Sequence, residues 1–265
     1  MQTQELIKRI NTKPIIKTDG LSKYYDKGKI KALDELYLQI NEGETFGLLG
    51  PNGAGKTTTV KLLNGIISPT KGTAIVKGSN LLSEKDKIKG ISGLLAESPG
   101  LFEKLSAQEF LEFVGALYKI KGDLLKERIH ELLRLFDLFE RKDYLLEGYS
   151  SGMKQKVLLA AALIHDPEIV YLDEPTASLD PRAAHMVKEL IKELTKLGKT
   201  IVICSHLLPL VEEVCDRIGI IIEGKLVIVG TIDEIQRETN TKSLEEAFIK
   251  LTGGSSSQEL LSWRK

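Results

Sequence analysis

The sequence predicts an α/β fold in which strands alternate with helices to give a mainly parallel β-sheet covered on both faces. In its last third, short β-branched runs alternate with amphipathic helical stretches, the pattern of consecutive βα units. In its first third, the apolar run Thr45–Leu49 leads directly into a glycine-rich turn and then into residues at helical spacing.

Taken in order, Leu36, Leu38 and Ile40 alternate with Tyr37 and Gln39, which predicts a half-buried strand ended by Asn41-Glu42-Gly43. After the glycine-rich turn, Val60, Leu63 and Ile67 keep a helical spacing until Ser68-Pro69-Thr70-Lys71-Gly72 breaks it. A strand is expected over residues 73–77, and the chain from about residue 98 to 164 reads as helical. Within it, Ser106 and Glu109 form a capping box ahead of an apolar stripe of Phe110, Phe113, Val114, Leu117 and Tyr118. Such spacing marks core packing more often than a docking face. Further helices are expected over 124–136 and 153–164. There follow a strand over 169–172, a helix over 182–197, a strand over 200–204, a helix over 208–214, and strands over 217–222 and 225–229. Leu244, Ala247, Phe248 and Leu251 predict a last helix over 243–251, packed back on the core. Gly253-Gly254-Ser255-Ser256-Ser257 reads as a flexible polar stretch.

Composition narrows the function. With 265 residues, 42% hydrophobic and 28% charged, the chain is globular rather than disordered. Lys and Arg number 37 and so do Asp and Glu, so the overall basic excess of a nucleic-acid binder is missing and no nucleic-acid partner is expected. The longest aliphatic run, from Val157 to Ile164, is far short of the roughly 20 residues a membrane helix needs. Residues 1–11 include Glu5, Lys8 and Arg9 and lack an apolar segment, unlike a secretory leader. The two cysteines, Cys204 and Cys215, have no metal-ligand spacing and read as small buried hydrophobes.

Gly50-Pro51-Asn52-Gly53-Ala54-Gly55-Lys56-Thr57-Thr58 fits G-x-x-x-x-G-K-[ST] between an apolar strand and a helix. Glycines let backbone amides close on an anion, and the helix that follows points its N-terminus at the same phosphates. Lys56 supplies a point charge for the β- and γ-phosphates, and the Thr57 hydroxyl suits Mg²⁺. These residues predict binding of a nucleoside triphosphate. The strand over 169–172 ends in Asp173-Glu174, at the carboxyl edge where open α/β sheets bind ligands. There Asp173 can hold the metal through water, and Glu174 can face an attacking water. His206 closes the next strand; taken alone it is either a hydrogen-bonded loop residue or a catalytic one.

In this order the pieces resemble the ATP-binding subunits of ABC transporters, over about residues 14–230. Tyr149-Ser150-Ser151-Gly152-Met153-Lys154-Gln155 is similar to the family signature written LSGGQ, Ser178-Leu179-Asp180 to its D-loop, Asp173-Glu174 to its Walker B carboxylates and His206 to its switch histidine. Tyr25 stands where the family stacks an aromatic on adenine, with Tyr24 as a rival. The resemblance implies a RecA-like P-loop core over residues 1–97 and 166–230, with an N-terminal antiparallel β subdomain. It also implies an inserted helical subdomain over 98–165 and a short helical extension with a loose tail over 231–265.

It further implies ATP and Mg²⁺ as cofactors, with ATP held by Asn52, Gly53, Ala54, Gly55, Lys56, Thr57 and Thr58. A second copy, or a homologous subunit, would supply Ser150, Ser151 and Gly152 to the same nucleotide, with Asp180 at the interface. Glu174 and His206 would be catalytic, and Thr57, Glu97 and Asp173 would serve the metal. A separate transmembrane permease would dock near the segment after Glu97, with loop 98–105 the better docking surface, and the subunit would lie on the cytoplasmic face of the membrane. The alternative is a soluble ATPase of the same superfamily acting on ribosomes or DNA, whose members usually carry two ATP modules or a long coiled coil; neither is seen here.

Glu97 stands where the family has a glutamine, and the signature carries Ser151 for a glycine and Met153 for a glutamine; Glu97 together with Met153-Lys154-Gln155 looks more like export subunits than nutrient importers. A side chain at residue 151 would be costly only in a left-handed backbone, by roughly 1 kcal/mol. Glu97→Gln is expected to retain ATPase activity at saturating ATP and Mg²⁺. Its complete loss in a phosphate-release assay would show that the carboxylate does more than a glutamine can.

Overall fold

A single long strand, β1 (Pro14–Tyr25), organises the first sheet by pairing antiparallel with three others: β2 (Ile30–Leu36), β3 (Gln39–Asn41) and β5 (Lys71–Val76), the last continuing to β6 (Ser79–Asn80). The computed structural model describes residues 13–96 and 100–253. Glu97 and most of the expected flexible stretch, from residue 254 on, lie outside the described residues.

The expected strand over 36–40 is two strands. Leu36, Leu38 and Ile40 are buried and Tyr37 and Gln39 exposed, as the alternation requires. The ladder breaks between them because the buried Thr18 hydroxyl intervenes. It donates to the Leu36 carbonyl at 2.8 Å and accepts from the Leu38 amide at 2.7 Å, satisfying groups a continuous ladder would have paired.

The second sheet runs β11 (Lys225–Gly230), β10 (Arg217–Ile222), β4 (Thr45–Leu49), β9 (Thr200–Ser205), β8 (Ile169–Asp173), β7 (Ser92–Leu95). Every pairing is parallel except β10 with β11. Strands β4, β8 and β9 are buried throughout, because both faces are covered. Tyr171, Val202 and Cys204 face a core shared with the first sheet, where α1 (Lys56–Leu63) inserts Val60, Leu62 and Leu63 among Ile16, Leu33 and Ala74. Val170, Leu172, Ile201 and Ile203 face the opposite way, onto Leu111, Ile129, Leu133 and Val157 of the helical region.

Helix α1 stops at Leu63 rather than reaching Ile67. Gly65 takes a left-handed φ of 71°, and the amides of Gly65 and Ile66 bond back to Leu62 and Lys61, a C-terminal cap. Alternation did not reveal β1, most of β2, β6, α2 (Lys85–Ile91) or the edge strand β7, all of which precede the helical third. The helical third itself holds α3 (Ala107–Leu117), α4 (Gly122–Leu135) and α5 (Ser151–Leu163). The Ser106–Glu109 capping box forms as expected. Its apolar stripe divides: Phe110 is buried and Val114 partly so, while Phe113, Leu117 and Tyr118 are exposed.

The remaining elements are α6 (Pro181–Lys196), α7 (Leu208–Val214), α8 (Ile232–Thr239) and α9 (Leu244–Thr252). Leu244 and Ala247 are buried beside Leu49, Val211 and Ile220, so the last helix does pack back on the core. Burial raises the pKa of both cysteine thiols. No helix among the described residues is long and apolar enough to cross a membrane.

Close packing is tightest at Gly93 of β7, where a Cβ would lie 2.0 Å from the Ala162 carbonyl oxygen and 3.0 Å from Pro167. Neither neighbour can swing aside. Gly93→Ala is expected to destabilise the protein by about 1–3 kcal/mol. Gly90→Ala, in open space on α2, should be neutral or stabilising by up to about 1 kcal/mol. Thermal unfolding of the two variants checks the pair.

Candidate active site

Strand register assembles the site. Leu49 of β4 lies opposite Ser205 of β9, and Cys204 opposite Asp173 of β8. Gly50, Glu174 and His206, the next residues of their chains, therefore emerge at one carboxyl edge of the sheet.

The loop after β4 needs its glycines for contact as well as conformation. A Cβ on Gly50 would lie 2.3 Å from the Ile221 carbonyl oxygen, and one on Gly55, whose φ is +109°, 2.3 Å from that of Ala32. Gly55 caps α1 without a side chain, so the first amides of that helix have no capping oxygen. Lys56 is buried, and its ammonium donates to the carbonyls of Gly50 at 2.8 Å and Pro51 at 3.1 Å, across the mouth of the loop. A cleft of about 190 Å³ remains, walled by Ala32, residues 52–58, Asp173 and Glu174.

Glu174 sits at the centre of the hydrogen bonding. Its backbone is left-handed, φ 51°, a conformation costing a non-glycine residue about 1–3 kcal/mol that tends to survive at functional sites. Its amide donates to the Cys204 carbonyl at 2.9 Å, and its own carbonyl accepts from Ala177 N at 3.1 Å and Gln155 Nε2 at 3.4 Å. The nearly buried carboxylate takes three donors. Ser205 Oγ donates to Oε2 at 2.9 Å, while the His206 amide at 3.0 Å and His206 Nδ1 at 2.6 Å both donate to Oε1. The imidazole is therefore written with its proton on Nδ1. Its side chain is 52% exposed and that of Glu174 only 10%.

The structure thus brings Asn52 to Thr58, Asp173 and Glu174 around one cleft, with His206 attached through Glu174. Tyr25, Ser150, Ser151, Gly152 and Asp180 are not among its walls. Ser150 and Ser151 are exposed at the start of α5, where the Ser150 hydroxyl accepts from the Met153 amide at 3.3 Å. Ser151 lies in the first turn of that helix and is not left-handed, so its side chain meets no backbone penalty. Gly152 faces the Ser178 carbonyl, 3.0 Å from where a Cβ would be. Asp180 caps α6, accepting from the Ala183 amide at 2.9 Å, and that bond holds its carboxyl below the usual range. Tyr25 ends β1 exposed, with the Lys23 ammonium 5.2 Å from its ring. Tyr24 is instead tied to Asp34, its hydroxyl donating at 2.5 Å. Sequence reasoning gave no separate role to Ala32, Gln155 or Ser205; Gln155 lies in the signature-like stretch and Ser205 beside His206, while Ala32 had no local signal.

Amides at a helix start, a buried lysine beside them and two carboxylates across a narrow gap leave room for a polyphosphate and an oxygen-ligated cation. The Thr57 hydroxyl and the Asp173 carboxylate are the hard oxygen donors that Mg²⁺ prefers. This is a P-loop nucleoside triphosphatase.

Comparison with known proteins narrows the class. The family profile described as ABC transporter matches residues 33–177. An ABC transporter ATP-binding protein of Nostoc is 43% identical over 238 residues, which cover 87% of this chain and 70% of that one. The ABC transporter ATP-binding protein NatA of Bacillus subtilis is 34% identical over 240 residues, 89% of this chain and 98% of its own. A solved ATP-binding subunit of an ABC transporter superposes with a TM-score of 0.83 at 30% identity, covering 89% of this chain and 99% of that one. A dimeric cassette in a post-hydrolysis state with ADP and Pi gives 0.76 at 27% identity, over 82% of this chain and 98% of its own. The chain belongs to the ABC transporter family, as an ATP-binding and ATP-hydrolysing subunit.

Proposed function

We propose that this subunit is half of a two-subunit motor that powers an export transporter through a separate membrane protein. The observation that carries the proposal is the separation of two anion-ready helix starts. Helix α1 opens into the cleft, whereas α5 begins outside it, with Ser150 and Ser151 exposed to solvent and Gly152 partly so. A second subunit turned head to tail brings its α5 start, with hydroxyls, amides and helix dipole, onto the phosphates in the first cleft. The solved dimeric relative supports this arrangement, and export is supported by relatives such as the linearmycin resistance ATP-binding protein of Bacillus subtilis, 36% identical over 217 residues.

In this reading Lys56 and the amides of residues 53–58 hold the β- and γ-phosphates, and Tyr25 stacks on the base. Thr57 and Asp173 would hold Mg²⁺, with Glu97 serving the same ion by its match to the family's glutamine. When bound, that ion offsets phosphate charge in the transition state. Glu174 orients the attacking water and takes its proton, and His206 contacts the γ-phosphate. Residues 98–165 act as a helical subdomain between nucleotide and membrane partner. Its docking surface is the groove of about 550 Å³ at Leu101, Phe102, Leu105 and Phe113, where Phe102 and Phe113 meet edge to face at 5.4 Å. Both rings are exposed, which suits an apolar partner segment. The subunit works at the inner face of the membrane.

Glu174→Gln is expected to lower turnover by about 10²–10⁴-fold and to accumulate an ATP-bound dimer in size-exclusion chromatography. Unchanged turnover would refute the role of Glu174, and a monomer at saturating ATP would refute the shared site. Phe102→Glu with Phe113→Glu should leave the basal ATPase of the free subunit within about twofold and abolish its recovery with membranes from cells expressing the separate membrane protein it drives. Retained membrane recovery would place docking elsewhere.

A further inference from the structure

Among the donors to Glu174, Ser205 differs from the His206 ring in that its hydroxyl is buried and held by a second hydrogen bond. It is fully buried at the end of β9, in register with Leu49, the residue just before the phosphate loop. Its oxygen accepts from the Leu207 amide at 3.0 Å, which occupies lone-pair density and turns the hydroxyl hydrogen toward Glu174 Oε2 at 2.9 Å. The imidazole of His206, by contrast, is half exposed and bound through one nitrogen. Anything that draws this ring toward a phosphate removes one of the three donors from Glu174. The two that remain, Ser205 Oγ and the His206 amide, sit on separate oxygens of the carboxylate and are both anchored to the end of β9.

We propose that Ser205 is a positioning residue for ATP hydrolysis: its hydroxyl fixes the Glu174 carboxylate plane toward the attacking water once the His206 ring has left it. The proposal rests on the reading of Glu174 as the water-orienting group. Ser205 is fully buried and is not among the walls of the cleft, so its loss is expected to affect the chemical step and not nucleotide binding. A serine serving only to cap the turn into α7 would instead leave kcat unchanged when the fold holds.

The test is steady-state ATPase kinetics of the full chain with Mg²⁺, alongside nucleotide affinity measured with a fluorescent ATP analogue. Ser205→Ala is expected to lower kcat about tenfold, the scale of a lost hydrogen bond to a charged group, with KM and analogue affinity within about twofold. Ser205→Thr, which keeps the hydroxyl, should recover most of kcat. In a Glu174→Gln background Ser205→Ala should lower the residual rate by less than twofold. Parental kcat in Ser205→Ala, or a rise in KM matching the fall in kcat/KM, overturns the proposal. So does a folded Ser205→Thr as slow as the alanine variant. If Ser205→Ala lowers the melting temperature steeply, Ser205→Cys is read by the same criteria, since it keeps the volume and weakens the donor. Should Glu174→Gln itself turn over normally, the reading of Glu174 fails; should only the Ser205 variants do so, the positioning role fails alone.

Discussion

The register of three parallel strands is the constraint on which the active site depends. Because β4, β9 and β8 are paired so that Leu49 meets Ser205 and Cys204 meets Asp173, three chain segments far apart in sequence leave the sheet at the same level. A slip of one residue in either pairing would turn the alternating side chains of β8 or β9 to the wrong face. Tyr171, Val202 and Cys204 would exchange places with Val170, Leu172 and Ile203, and both hydrophobic cores would be lost together. The packing that stabilises the sheet therefore also fixes where Gly50, Glu174 and His206 emerge. Catalytic geometry here is a by-product of core geometry.

Glu174 shows how that edge is stiffened. A left-handed residue after a buried strand is unfavourable unless its surroundings hold it, and here its amide, carbonyl and both carboxylate oxygens are engaged. One of those partners, Gln155, comes from α5, the helix whose start carries the signature residues. A shift of α5 is thus felt at the backbone of Glu174 without passing through solvent, a short mechanical path between the helical region and the edge of the sheet.

Much of this was legible in the sequence, and the parts that were not share a physical cause. The phosphate loop is local: glycine spacing, Lys56 and the Thr57 hydroxyl all fall within nine residues. The strand ending in Asp173-Glu174 was equally readable, since buried parallel strands are continuous apolar runs, whereas His206 took its role only from the resemblance. Strand β1 was less legible because it serves three partners at once, and its burial pattern changes along its length. The break at Tyr37 depends on Thr18, eighteen or more residues away, which no local periodicity can show. The stripe on α3 was read as one face, yet Phe110 turns inward and Phe113 outward, because helical spacing gives direction but not what stands opposite. Ser205 escaped notice since a buried serine at a strand end has no spacing of its own; its meaning lies in the carboxylate it touches.

Ala32 belongs to β2 in the antiparallel sheet, yet its carbonyl presses on Gly55 and its side wall borders the phosphate cleft. The walls of the cleft are thus supplied by both sheets. A triphosphate held there, as proposed, touches both layers at once, and because these already share a hydrophobic core its occupancy raises the temperature at which the two are lost together.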